Sequence, residues 1–310
     1  MTAVPIDLTG NKGRHRREAL IRRFFLAAAL SSIVVSAAIV LSLFFEALRF
    51  LRDVDLSTLW TSGWYPRRNQ YDVKTLFMGS LLVTGVAMVI ATPLGLGAAI
   101  YLSEYAPPGA RRVLKPILEV LAGIPSIVIA FFAISWVSPE VVQRINPDAP
   151  LYTLLAAGIG VGILVIPLVA SVTEDALRAV PRSLREASYG LGAKRVTTSM
   201  RVVFPAAISG IVASLILAAS RAIGETMVVA LAAGGSGNSA FTTDVFSQGQ
   251  TVTAAMMSLA FGTDRVAGGG GSEAGAAYQS LFFLGLLLFI VTMALNYVGD
   301  RFVRRVREAY

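Results

Sequence analysis

The sequence predicts an all-α integral membrane protein with six transmembrane helices. Three observations carry that prediction. The 310-residue chain is 55% hydrophobic and only 15% charged, with a mean hydropathy of +0.67, whereas soluble domains carry about 25% charged residues. Apolar runs recur at the length needed to cross a hydrocarbon core of about 30 Å, roughly 20 residues at 1.5 Å of rise each. Lys and Arg collect in alternate connections between those runs, as the positive-inside rule requires.

The first run, Phe24–Leu48, follows a polar, basic tail over residues 1–23 that is expected to be mobile. HRREALIRR ahead of an apolar segment resembles a signal peptide. The run is too long for a typical signal core, however, and Glu46 to Arg49 close it without a small-x-small cleavage site, so it reads as a retained span. His15, the one histidine, reads as a solvated tail residue, and the absence of cysteine excludes disulfides, thiolate metal sites and cysteine nucleophiles.

The second run, Leu76–Tyr101, comes after an outer loop in which Trp60, Trp64 and Tyr65 cluster near Pro66, a composition suited to anchoring at the headgroups. Inside it, Pro93-Leu94-Gly95-Leu96-Gly97-Ala98-Ala99 has glycines at nearly dinucleotide-binding spacing. No strand precedes them, so close helix packing by small residues is the better account. The third run, Ile117–Val137, contains Gly123, Pro125 and Ser126. Pro125 removes a backbone donor and should kink the helix, either as simple bending or next to a wet cavity that touches substrate.

Leu151–Val172, Ala206–Ala232 and Tyr278–Tyr297 complete the six. The loop before the last run is Gly- and Ser-rich at both ends. It encloses an apolar stretch, Thr251–Phe261, too short to span a bilayer and expected as a re-entrant or interfacial helix. Gly268–Gly271 reads as a flexible linker, because no P-loop lysine and helix follow it.

The basic residues orient the spans. One side holds Lys12, Arg14, Arg16, Arg17, Arg22 and Arg23, then Arg111, Arg112 and Lys115, then Arg178, Arg182, Arg185, Lys194, Arg195 and Arg201, and finally Arg301, Arg304, Arg305 and Arg307. These are most of the 27 in the chain. Both termini are therefore expected in the cytoplasm of a bacterial cell membrane. The net charge of +8 is read as topology with contact to anionic lipid, and not as nucleic-acid binding.

Between spans four and five lies a polar stretch, Pro181 to Pro205. Ser183 and Glu186 have capping-box spacing, so a short helix should start at Ser183, and Gly190 and Gly192 should end it. Ala187, Ser188 and Ala193 offer small surfaces on which another protein could pack. An amphipathic helix lying on lipid is the alternative, and physics alone leaves the two even. In span five, Arg221 and Glu225 are four residues apart and would share one helix face, as an ion pair or as a site for an oxyanion, with Thr226 beside them.

Glu186-Ala187-Ser188, then Gly192, then Val202, Phe204 and Pro205 resemble the EAA motif of permease subunits of ATP-binding-cassette importers, with Ser, Val and Phe as departures from its commonest letters. RAIGETM from Arg221, LAGIPSIV from Leu121 and PLGLGAAIYLSEYA from Pro93 are similar to the phosphate-specific transport permeases. The resemblance implies a MetI-like ABC importer permease fold in residues 24–303, with a coupling loop over 174–205 and a cytoplasmic tail over 304–310. It implies an ATPase-coupling role for Ser183, Glu186, Ala187, Ser188, Gly192 and Pro205, and a substrate pathway at Arg221, Glu225 and Thr226. The implied partners are a PstA-like sister permease, two PstB-like ATPase subunits and a PstS-like extracytoplasmic phosphate-binding protein. No cofactor is implied, and ATP would be hydrolysed by a partner, since the chain has no G-x-x-x-x-G-K-[ST] motif. A permease for sulfate or molybdate, and a membrane signalling or scaffold subunit, are the alternatives. An intramembrane enzyme finds no nucleophile, base or metal-ligand set.

Overall fold

Apolar sequence becomes helix because lipid offers no partner for backbone amides and carbonyls, and a helix satisfies them internally. A computed structural model of the protein describes residues 12–60, 63–235, 239–262 and 272–307. In order, these form α1 (Lys12–Asp53), strands β1 (Gly63–Tyr65) and β2 (Gln70–Tyr71), α2 (Val73–Ile100), α3 (Pro108–Ala122), α4 (Ser126–Phe132), α5 (Leu154–Ala179), α6 (Arg182–Gly190), α7 (Arg195–Thr198), α8 (Ile208–Ile223), α9 (Met227–Ala232), β3 (Ser239–Ala240), α10 (Val252–Ala260) and α11 (Ser272–Arg307). Wider π-type winding extends α2 through Tyr101–Tyr105, α4 through Ala133–Val142 and α7 through Ser199–Val203.

Among the described residues, five helical segments are long and apolar enough to cross a membrane: Arg17–Asp53, Val73–Tyr105, Ser126–Ile145, Leu154–Ala179 and Gly275–Arg305. A sixth follows if Arg195–Ala206 and Ile208–Ile223, bent by 69°, count as one span. The expected mobile tail is corrected in part, because α1 already begins at Lys12. Residues 1–11 and the linker Gly268–Gly271 lie outside the described residues.

Two expected spans are broken. The third does not run from Ile117 to Val137. Helix α3 ends at Gly123, whose amide donates to the Val120 carbonyl at 3.0 Å, and α4 restarts after Pro125, so the crossing segment is Ser126–Ile145. The fifth, expected as Ala206–Ala232, stops at Ile223 and resumes at Met227, with Gly224, Glu225 and Thr226 in the gap. The Glu225 carbonyl freed there accepts the Thr253 hydroxyl at 2.6 Å, so a donor from α10 satisfies the broken backbone.

Helix α10 packs against the bundle along most of its length, and only its last residue, Ala260, is exposed. Thr251 caps it by accepting the Ala254 amide at 3.2 Å, and Val252, Ala255 and Leu259 are wholly buried. Its first turn docks on α2 where Gly79 leaves no room for a side chain against the Gln250 carbonyl and Ser80 Oγ accepts the Val252 amide at 3.0 Å. At the same end of the molecule, β1 pairs antiparallel with β2 and β3, setting Trp64 opposite Tyr71 on one side and Ser239 on the other. This corrects the expected headgroup anchor. Trp64 is fully buried edge-on to Tyr71, which packs on Phe50, while Trp60 alone of the two tryptophans stays exposed.

The central core joins α2, α4, α5, α8, α9 and α10 through Val83, Ala87, Ile129, Val161, Ala218, Val228 and Ala254. Lipid tails are as apolar as leucine, so contact between spans depends on close approach of backbones, which small residues permit. Helices α2 and α5 meet through Gly95, Gly158 and Gly162. A Cβ on Gly158 would stand 2.6 Å from Val86 Cβ, and one on Gly95 would stand 2.6 Å from Val169. Gly95 thus packs as its sequence setting suggests, while Gly97 faces open space. Gly158→Leu is expected to cost about 1–3 kcal/mol by overpacking, read as a lower unfolding temperature of the detergent-solubilised protein. Gly97→Ala should not lower it.

Candidate functional site

Helix α6 begins at Arg182, one residue earlier than the capping-box spacing suggests. Pro181, with φ −56° and ψ 140°, turns the chain into the helix, so Ser183 already lies in the first turn and no side chain caps it. Ser183, Glu186 and Ala187 are exposed. The glycines act as expected. Gly190 is the last helical residue, and Gly192 takes the left-handed conformation at φ 78°. The Gly192 amide reaches the Tyr189 carbonyl at 2.9 Å and the Ala193 amide reaches the Ser188 carbonyl at 3.1 Å, a Schellman closure. Ser188 shares a 2.9 Å hydroxyl contact with Thr198 that folds α7 back onto α6. Pro205 sits at the 69° elbow into α8.

Arg185 clamps α6 to the bundle. Its guanidinium donates to Glu104 Oε1 at 2.9 Å, to the Leu177 carbonyl at 2.8 Å and to the Val180 carbonyl at 2.7 Å. The two carbonyls are acceptors at the end of α5, where a cation is favoured by the helix dipole, and the Leu177 carbonyl also takes the Val180 amide at 3.4 Å. Glu104, on the π-wound end of α2, is 7% exposed, so its charge depends on this partner. One side chain therefore joins α6, α5 and the end of α2, while Leu184, Tyr189 and Leu191 remain on the outside at 43%, 44% and 90% exposure.

A second ionic cluster lies beside it. The fully buried Glu174 of α5 accepts from Arg111 and from Lys115, the latter at 2.9 Å, and Arg178 approaches to 3.7 Å. Lys115 also reaches Asp175 at 3.2 Å. The Glu174 hydrogen bond holds the Lys115 ammonium above its usual range, against a smaller opposing push from burial. That raised value means the contact is fully formed below the ordinary 10.5 and is lost only as pH rises past the folded value. The cluster fastens α3, which buries none of its own side chains, to α5.

Arg221 and Glu225 do not form the expected pair. The helix carrying Arg221 ends at Ile223, so Glu225 is off its face. The Glu225 amide turns back to the Ala222 carbonyl at 3.3 Å instead. Thr226 donates weakly to the Gly224 carbonyl at 3.3 Å. Arg221 lines a cavity of about 220 Å³ with Glu119, Ser171, Pro167, Leu164 and Leu118. Gly123 and Pro125 are exposed at the break between α3 and α4, and Ser126 is half-buried in the first turn of α4. Glu104, Glu119 and Glu174 were not singled out in the sequence. The Glu174/Arg178 and Arg111/Lys115 pairs do carry i,i+4 signatures.

Replacing Glu174 by Gln would leave Arg111 and Lys115, both partly wet, without their shared carboxylate. A loss of about 1–3 kcal/mol is expected after allowing for that exposure. Thermal unfolding of the purified protein measures it, and Asp175→Asn, at a more exposed carboxylate, should cost less.

The family described as "Binding-protein-dependent transport system inner membrane component" matches residues 91–308, more than half of the chain. The phosphate transport system permease protein PstC of Xylella fastidiosa (strain 9a5c) is 31% identical over 328 residues, covering 98% of this chain and 97% of that protein. Among solved structures, a bacterial alginate ABC transporter in complex with a pentasaccharide-bound periplasmic protein has a chain that superposes with a TM-score of 0.66 at 14% identity, covering 94% and 96% of the two chains. The MetNI methionine ABC transporter, in an inward-facing form, gives 0.54 at 20% identity over 74% and 93%. The fold is thus the MetI-like permease fold of a multi-pass membrane protein, and the chain belongs to the family of binding-protein-dependent inner-membrane permeases, with PstC among its relatives.

Proposed function

We propose that this chain forms half of the translocation pathway for inorganic phosphate in an ATP-driven importer. The observation that carries the reading is the Arg185 clamp. It holds a short helix with an EAA-type sequence rigidly against two spans while leaving its outer residues free to dock. On this reading Leu184, Tyr189 and Leu191, with Glu186, Ala187 and Ser183, face a groove of a separate ATPase subunit. Ser188, Gly192 and Pro205 shape the loop behind them. The exposed apolar surface favours a protein partner over lipid, because the clamp ties the helix to the ends of α2 and α5 instead of leaving it to lie in the headgroups.

The substrate assignment draws on relatives named as phosphate transport permeases and on Arg221. A guanidinium with apolar neighbours in a span is suited to bidentate binding of an oxyanion. Glu225 and Thr226, in the helix break, offer the pathway a carboxylate and a hydroxyl, and Gly123, Pro125 and Ser126 shape the break opposite. The permease domain is residues 24–303 with its coupling loop at 174–205, flanked by basic segments 1–23 and 304–310 in the cytoplasm. Its partners are a sister permease of the PstA kind, two PstB-like ATPases and a PstS-like phosphate-binding protein. The chain is a transport subunit and hydrolyses no ATP itself.

In proteoliposomes holding the assembled importer, Arg221→Glu should abolish phosphate uptake while the subunits still co-purify. Uptake left intact by Arg221→Glu would remove phosphate from this pathway. Leu191→Asp should weaken recovery of the ATPase subunit with the permease, and unchanged recovery would count against the docking face.

A further inference from the structure

Glu119 is a side chain for which neither the loop motif nor the Arg221 site accounts. It sits near the end of α3 and lines two cavities. One is the space of about 220 Å³ that also holds Arg221 and Ser171. The other is an open groove of about 530 Å³ between α3 and the π-wound end of α2, lined by Arg111, Arg112 and Lys115. A single exposed carboxylate therefore lines both a cavity that holds the exposed Arg221 guanidinium and a basic groove at the end of the bundle where α6 is clamped.

The charges around it make the position informative. Arg221 has no carboxylate on its own helix within reach, because the break at Gly224 takes Glu225 away. Glu119 is the one carboxylate among the residues lining the Arg221 cavity, and Leu164, Pro167 and Val172 carry no charge. The exposed guanidinium offers planar, bidentate donors to an incoming oxyanion. A bare oxyanion at Arg221 would be repelled by Glu119. An oxyanion that still carries a proton would instead donate a hydrogen bond to it, converting repulsion into a charge-assisted contact. Inorganic phosphate keeps at least one proton at neutral pH, and sulfate keeps none. Ser171 supplies a hydroxyl to the same space and can serve either anion.

We propose that Glu119 is a specificity-determining residue that admits protonated oxyanions to Arg221 and rejects fully deprotonated ones. It does so where the Arg221 cavity and the basic groove share it as a lining residue. The proposal rests on the phosphate reading above and adds the chemistry by which phosphate is told from sulfate inside the permease. The geometry also gives Glu119 a mechanical setting. Helix α3 is tied to α5 through Glu174 and α5 to α6 through Arg185, so the carboxylate rides on an element fastened to the loop helix.

The test is direct binding to the detergent-solubilised importer without nucleotide, by titration calorimetry with inorganic phosphate and, separately, inorganic sulfate. Wild type should prefer phosphate. Glu119→Gln should cut that preference by about tenfold or more, mostly by gaining sulfate affinity, and Glu119→Asp should retain part of it. Arg221→Gln should lose both anions. A preference unchanged in Glu119→Gln, or a wild type that binds the two anions equally, would overturn the role of Glu119. Uptake that survives Arg221→Glu would instead overturn the phosphate pathway itself, so the two failures are separable. Co-purification of all subunits with each variant establishes that it folds, and the Glu119→Asp result separates loss of charge from loss of packing.

Discussion

The fold depends most on the contact between Arg185 and the ends of α2 and α5. A helix of nine residues has little stability of its own, since isolated helices below about 12 residues are marginal in water. Three charge-assisted hydrogen bonds, to Glu104 and to the Leu177 and Val180 carbonyls, hold it in one orientation. They also satisfy a carboxylate and two helix-end acceptors that would otherwise be costly to bury. A push on α6 therefore reaches α2 and α5 without a soft joint. Those two helices approach closely, packed glycine against valine at Gly95/Val169 and Gly158/Val86.

The broken spans are the counterpart of that rigid end. Gly123 to Pro125 and Gly224 to Thr226 interrupt two helices that the apolar pattern alone would run straight through. Each break needs outside support in lipid. The second receives it from Thr253 on a helix buried between α2, α9 and α11. Irregular backbone at membrane depth is tolerated where it lines a cavity. The cavity with Arg221 lies beside the end of α3, next to the first break. Structure at the loop is thus fixed by ion pairs, and structure around the Arg221 cavity by helix breaks and their supports.

The sequence made the class, the number of apolar runs and the loop helix legible, because span length, glycine caps and motif spacing are local properties. Gly190 and Gly192 end α6 as their spacing indicates, and Gly95 packs closely. What escaped was non-local. The capping box at Ser183 lost to Pro181, which starts the helix one residue sooner. Trp64 looks like a headgroup anchor until β3, far away in the chain, closes over it. Arg221 and Glu225 are four apart in sequence, but a glycine between them ends the helix. Glu104 and Glu174 were not singled out, since Arg185, Arg111 and Lys115, which hold them closest, lie more than fifty residues away in the chain, and the i,i+4 spacing of Glu174 to Arg178 alone is common on any helix.

The central claim is that Arg185 and Glu104 act as one link between the loop helix and the spans. A double-mutant cycle in the reconstituted importer tests it, with phosphate taken up per ATP hydrolysed as the readout. Arg185→Ala should lower that ratio by about tenfold while ATPase and permease stay assembled. Adding Glu104→Gln to it should cause little further loss. A ratio that is unchanged in Arg185→Ala, or losses that simply multiply in the double variant, would contradict the claim.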